Sequence, residues 1–498
     1  MIEPTSLHTL PVEIVQKIAM DLDSWDRNAL ARTSRFFRDA ININNLRFFS
    51  KKIGDIFATP VSERCTGLVV HEKQVTIPQE NSSIETLYWI YPNSPLAGNF
   101  PNLRRVKIIF NDETKAAPVC DLLLRSPSVR KLSLAGAIFL KDPELTRLLD
   151  AARAVKKLDL SSAVRASLAP VLQHENLTHL NLNTMRVSEN EMCSLLAKFR
   201  HLTALFLGTA YMCEGDSWDP VFSLLAHTPA PLRKVSLPRH SKMSRCDLYR
   251  LLCSHKIIWL EVNLKHADCE FIADVKPFFE KLTRLTLTGG SSDLLDGCPN
   301  LQFLMLEDYK GDLSPILGMH GLQHLKIVKS EVPSKLTELF LCKLNLKSLK
   351  IEKQSGAPYS SASFQNLTLR VIQIAGLTLS QLRCIVRSCP NLVRIDDLPG
   401  EEELLTLLPG LSCLERISLA ERGGKLASLL PGKIPHLRYL VYSFPSGNEF
   451  VRMVGNVVLI NKALLLPLYG TVFCTEVCID FEYRRRARLL SVEAAHLV

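Results

Sequence analysis

The sequence predicts an α/β fold: a curved solenoid, or horseshoe, of about sixteen repeats with parallel β strands on its concave face, preceded by a small helical module. Three observations predict it. The pattern L-x-x-L-x-L, with Val or Ile substituting, returns sixteen times, its first positions being Ile84, Leu103, Val129, Val155, Leu177, Leu202, Leu232, Ile257, Leu282, Leu301, Leu322, Leu346, Leu369, Leu392, Leu414 and Leu437. The mean step is about 23.5 residues, a period at which each unit is one strand plus its return connection. Helix-start signals lie between the strands: Asp142-Pro143, Ser188-x-x-Glu191 and Thr378-x-x-Gln381, where an oxygen side chain or a proline suits the first turn.

The individual copies differ in quality. ENLTHLNLNT from Glu175, RHLTALFLGT from Arg200, EKLTRLTLTG from Glu280 and CPNLQFLMLE from Cys298 are the clearest. IETLYWI at the start is weaker, and LVRIDD at Leu392 puts Asp397 in an apolar slot. CTGLVV near Cys65 offers a further copy. No single repeat encloses a core, so the leucines of each strand must stack on those of the next. Period and pattern together are those of leucine-rich repeats. Cys-Pro-Asn-Leu, at Cys298 and again at Cys389 just before a strand, resembles the cysteine-containing subclass of such repeats; these cysteines are expected to be small buried hydrophobes.

Ahead of the repeats, LHTLPVEIVQKIAMDLDSWDRNALARTSRFFRDA spans residues 7–40. Leu10-Pro11 starts a helix, and Ile14, Ile18 and Leu22 recur every fourth residue on one stripe. Asp23-Ser24 breaks that helix and caps a second, with Asp26 in its first turn. Leu30, Phe36 and Phe37 extend an apolar surface too large for so short a segment to bury alone. The string resembles an F-box through Leu10, Pro11, Glu13, Ile14, Ile18, Leu22, Asp23, Asp26, Leu30, Ser34, Arg35, Phe36 and Phe37. It departs at Arg32-Thr33, where many F-boxes carry a more apolar pair. The resemblance implies that Leu10, Pro11, Glu13, Ile14, Ile18, Leu22, Leu30, Phe36 and Phe37 dock a Skp-family linker and, through it, cullin and RING subunits. The expected organisation is an F-box over 1–50, a linker with a cap or irregular first repeat over 51–83, leucine-rich repeats over 84–443, and a C-terminal cap with a basic tail over 444–498.

Composition narrows the remaining choices. The 498 residues are 47% hydrophobic, enough for an extended core. The 14 cysteines form no C-x-x-C pair, and no histidine pair stands near them at finger spacing, so neither a metal nor a cofactor is expected. The N-terminal stretch lacks a basic segment followed by an apolar run, and the apolar stretch near 457–473 is interrupted by Asn461, Lys462 and Pro467. The expected setting is therefore cytoplasmic and/or nuclear, with reduced thiols and no membrane partner. G-x-G-x-x-G, P-loop, H-E-x-x-H and G-x-S-x-G motifs are all missing, and no catalytic residue is expected.

Alternation along the strands directs the third motif position to the exposed face. Seven of its sixteen residues are Lys or Arg and none is acidic. Arg105, Lys131 and Lys157 fall in successive repeats, each preceded by another cation (Arg104, Arg130, Lys156), with Lys107 beside them. They form either a solvated face paired with loop acids or a patch for an acidic or phosphorylated segment. Further along, Phe206, Trp259, Phe303 and Met305 point the same way, with Arg284 among them, and are either a binding surface or groups covered by a loop. With the F-box, the repeats resemble those of substrate receptors of SCF-type ubiquitin ligases, non-catalytic adaptors that hold a protein substrate. A Skp-bound scaffold outside ubiquitination is the alternative. The net charge of +10 raises nucleic-acid binding as a third class, but no basic–aromatic recognition motif supports it and none is expected.

Overall fold

The computed structural model describes most of residues 84–419, parts of 429–442, and the backbone of three further strands at 67–71, 451–454 and 457–461. The F-box-like stretch at residues 7–40 and Arg484, Arg485, Arg486 and Arg488 of the basic tail lie outside the described residues. Two compact units divide the chain, residues 1–179 and 180–498.

In the first unit, β1 (Gly67–His71), β2 (Thr86–Ile90), β3 (Arg105–Ile109), β4 (Lys131–Ala135) and β5 (Lys157–Asp159) pair in sequence order, all parallel. Returns run through α1 (Ala117–Arg125) and α2 (Asp142–Ala151). Pro143 occupies the first turn of α2, where its missing N–H costs nothing, and Glu144 accepts the Lys141 backbone N–H at 3.0 Å. The division between the units falls inside β6 (His179–Asn181).

In the second unit, β7 (Arg186–Val187) pairs only with β9 (Tyr211–Met212). The main ladder runs from β8 (Ala204–Phe206) through β10 (Lys234–Ser236), β11 (Trp259–Asn263), β12 (Arg284–Thr288), β13 (Phe303–Glu307), β14 (His324–Pro333), β15 (Ser348–Ser355), β16 (Val371–Ile374), β17 (Arg394–Leu398) and β18 (Arg416–Leu419) to β19 (Tyr439–Tyr442). Every neighbour in it is parallel. Beyond it, β20 (Val451–Val454) pairs antiparallel with β21 (Val457–Asn461), which in turn runs parallel to β19.

The pairing register is the one written in the sequence pattern. Trp259, Arg284, Phe303, His324, Ser348, Val371, Arg394, Arg416 and Tyr439 face one another strand by strand, as do Arg105, Lys131 and Lys157. Buried beneath them are the first, fourth and sixth positions, for example Leu282, Leu285 and Leu287, then Leu301, Leu304 and Leu306, all at 0% exposure. Each such leucine contributes about 1.5–3 kcal/mol on leaving water, and each finds its neighbours mainly in the adjoining repeats. Each unit thus resembles a stretch of leucine-rich-repeat solenoid.

Connection length decides what lies between strands. The short steps from Leu282 to Leu301 and from Leu301 to Leu322 close through 3-10 turns at Ser292–Gly297 and Ser314–Gly318. Longer steps hold α3 (Glu189–Lys198), α4 (Asp219–His227), α5 (Arg245–Ser254), α6 (Cys269–Phe279), α7 (Ser334–Lys343) and α8 (Leu379–Ser388). Ser188 caps α3 by accepting the Glu191 N–H at 3.3 Å, and Thr378 with Gln381 forms a reciprocal capping box on α8.

Asp397 does not occupy an apolar slot. Its backbone turns to φ 61°, the register shifts after Ile395, and Leu398 drops into the core opposite Leu419. A short acidic side chain tolerates that left-handed conformation better than most residues, so the chain absorbs one extra residue rather than burying a carboxylate. Asn366, in a glycosylation-like triplet, is also buried: its amide donates to the Leu341 and Leu344 carbonyls at 3.0 and 3.1 Å. In the two Cys-Pro-Asn-Leu copies the asparagine reaches back one repeat, Asn300 to the Glu280 carbonyl and Asn391 to that of Leu367, both at 2.8 Å. Cys298 and Cys389 are buried, and burial pushes both thiols up to about 12.

Candidate functional site

Two clusters stand on the exposed strand faces, one in each unit. In the first unit, β3, β4 and β5 bring Arg105, Lys131 and Lys157 into one row, with Lys107 one position along β3. Adjacent strands are about 4.8 Å apart, so like charges here repel by about 0.8 kcal/mol even in a water-like medium. Arg105, Lys131 and Lys157 are exposed, and among the described residues none of the four cations forms an ion pair. Lys131 feels the crowding: desolvation lowers its pKa, Asp159 opposes this, and Arg105, Lys157 and Lys107 add to the lowering. Asp159 itself accepts from Ser133 Oγ at 3.1 Å.

In the second unit, the third-position row alternates cation and ring through Lys234, Trp259, Arg284 and Phe303, and ends on the His324 ring, 6.2 Å from that of Phe303. Arg284 is held between two rings, its guanidinium carbon 4.3 Å from the Trp259 centroid and 3.9 Å from that of Phe303. Lys234 Nζ lies 5.5 Å from the Trp259 centroid, and Phe206 meets the same indole at 5.0 Å in a tilted pair. Such contacts range from about 0.5–1 kcal/mol when exposed to about 2 when desolvated. Phe206, Trp259, Arg284, Phe303 and Met305 are all half-buried. Strand pairing sets Trp259, Arg284 and Phe303 side by side, with Phe206 against the Trp259 indole.

A network not anticipated from the repeat pattern borders this row. Arg239, just beyond β10, binds Glu261 through Nε at 2.7 Å and Glu307 through a terminal nitrogen at 3.3 Å. Lys329 adds a 2.7 Å contact to Glu307, and Ser236 Oγ donates to Glu261 at 2.6 Å. Burial raises the Glu307 carboxyl pKa, but the Lys329 hydrogen bond and the Arg239 and Lys329 charges outweigh it and hold it below its ordinary value. Lys326, on β14, is lowered by burial and by Lys350 beside it. Arg239 and Lys329 lie outside the six-residue motif, which is why the motif gives no sign of them.

Farther along, Arg394 donates to Asp396 at 2.6 Å, and Arg416 Nε lies 4.0 Å from the same carboxylate. These two third-position arginines are therefore neutralised within the sheet, by a fifth-position strand residue. Among the described residues no group of His, Cys, Asp and Glu side chains is arranged to hold a metal ion, and no helix is long and apolar enough to cross a membrane. Leu10, Pro11, Glu13, Ile14, Ile18, Leu22, Leu30, Phe36 and Phe37 lie outside the described residues.

No family model matches the sequence, and no curated protein matches it. Among solved structures, the chain is similar to one described as a TLR13–ssRNA13 complex, with 14% identity over 78% of this chain and 72% of that one, TM-score 0.37. It is also similar to a Rad7 and Elc1 complex in yeast, with 13% identity over 73% and 81%, TM-score 0.38. A third is an internalin from Listeria monocytogenes, with 15% identity over 89% and 100%, TM-score 0.26. These likenesses are loose. The repeat assignment rests on the chain's own register and buried leucine rows.

Proposed function

We propose that this chain is the substrate-recognition subunit of an SCF-type cullin–RING ubiquitin ligase. In this reading residues 10–37 bind a Skp-family linker and the exposed strand faces bind a protein substrate. The observation that carries the second half is the strand register, which gathers cations and half-buried aromatic side chains into continuous rows on the strands. The F-box-like string at Leu10–Phe37 supports the first half. The chain contributes no catalytic group; it acts by holding a substrate lysine near a charged ubiquitin carrier, raising the effective concentration of the two.

Affinity purification of the wild type beside a Leu10→Ala/Pro11→Ala variant tests this. Linker, cullin and RING subunits are expected with the wild type and lost from the variant, on which substrates accumulate. Recovery of the linker without cullin or RING would instead indicate a Skp-bound scaffold working outside ubiquitination.

A further inference from the structure

Arg284 is a half-buried cation on the second unit's strand face. Its guanidinium carbon lies over the Trp259 ring on one neighbouring strand and over the Phe303 ring on the other. Its Nε is buried without a hydrogen-bond partner, and among the described residues the guanidinium forms no ion pair. Burial lowers its pKa, which Glu261 only partly offsets. That carboxylate is already engaged by Arg239 and Ser236. Glu307, four residues farther along β13 than Phe303, is engaged by Arg239 and Lys329. The carboxylate beside Arg284 is thus committed elsewhere, and the guanidinium stays desolvated between two rings.

We propose that Arg284 receives a side-chain carboxylate of a partner protein, within an extended segment whose flanking apolar side chains rest on Trp259, Phe303 and Met305. A planar carboxylate matches the planar fork through two parallel hydrogen bonds. Its single charge is less costly to desolvate beside two rings than the double charge of a phosphate. The rings supply the apolar contact on either side, and as half-buried aromatic anchors they are ordered before the partner arrives. Lys326, one strand beyond Phe303, gives a second cation for a following acid. The proposal rests on the strand face being the partner-binding face; it is independent of whether residues 10–37 hold a linker.

Fluorescence anisotropy with the purified full chain tests it, using a labelled peptide of alternating Glu and Leu, its Gln-for-Glu counterpart and its phosphoserine counterpart. The Glu peptide is expected to bind the wild type at least about tenfold more tightly than the Gln peptide, the range of one charge-assisted hydrogen-bonded pair. Arg284→Gln should lose that preference, and Arg284→Lys should lose most of it, because the point charge remains while the fork does not. Arg250→Gln, at an exposed position of α5 away from the strand face, should keep it. Circular dichroism of each variant separates lost binding from lost fold, and the Glu–Gln comparison on the wild type needs no variant at all. Equal affinity for the two peptides, or binding of neither, overturns the proposal. So does preference for phosphoserine, which would assign the site to a phosphate. A linker that co-purifies normally while these peptides fail would leave the ligase reading standing and remove this one.

Discussion

The guanidinium carbon of Arg284 lies 3.9 Å from the centre of the Phe303 ring, one strand away. Because both residues occupy the same motif position, their contact follows from strand pairing alone and requires no loop. A double-mutant cycle with Arg284→Met and Phe303→Leu, read by urea unfolding, should give a coupling of about 0.5–2 kcal/mol. Additive effects would show that the stack is incidental to stability.

The row Arg105, Lys131, Lys157 invites the opposite test. Its like charges sit side by side with no ion pair among the described residues. Lys131→Gln should therefore be neutral or slightly stabilising at neutral pH, within about 0.5 kcal/mol. The sign follows from linkage: a lowered lysine pKa means that the folded state binds the proton less well than the unfolded chain. The difference between wild type and variant should shrink as pH rises from the folded pKa to the unfolded one. Neutralising Arg105, Lys131 and Lys157 together should weaken capture of an acidic partner at physiological salt; unchanged capture would remove this patch from the binding surface.

Glu307 titrates in the other direction. Its carboxyl is held below the ordinary value by Lys329 and Arg239, against burial. Such a group stabilises the fold above its unfolded pKa, and that contribution is lost as pH falls through the folded one. Glu307→Gln should cost about 1–3 kcal/mol at neutral pH, and the cost should fade on acidification. Parallel denaturation curves at several pH values check this; a difference independent of pH would exclude the carboxylate charge as its origin.

Thiol labelling distinguishes structural from accessible cysteines. Cys298 and Cys389 are buried with their thiols pushed up to about 12, whereas Cys246, Cys253 and Cys342 are exposed. Brief alkylation of the folded chain, read by peptide mass spectrometry, should mark the exposed three and spare the two buried ones. Early modification of Cys298 would show that its repeat opens locally.

The repeat pattern anticipated the ladder residue by residue, since strand alternation and the buried leucines leave one register that hides every apolar side chain. Trp259, Arg284 and Phe303 were therefore legible as neighbours. Arg239 and Lys329 were not, because both lie past the strand motif, where no period constrains the chain. Asp397 was misjudged for a related reason: the pattern presumes a continuous strand, and a single left-handed residue restores Leu398 to the core. The pairing of Arg394 with Asp396, which also lies 4.0 Å from Arg416, was not read from the pattern either, because it joins two positions of the same exposed strand face.

The alternation of cation and ring along β10 to β13 has a consequence for how a ligand can be positioned. Moving a bound segment by one strand, about 4.8 Å, carries an acid from above Arg284 to above a ring, where no charge awaits it. A displacement of about 9.6 Å towards β10 restores the match, at Lys234. The face therefore sets the phase of what lies on it, holding a partner at discrete stations along the unit and resisting continuous sliding.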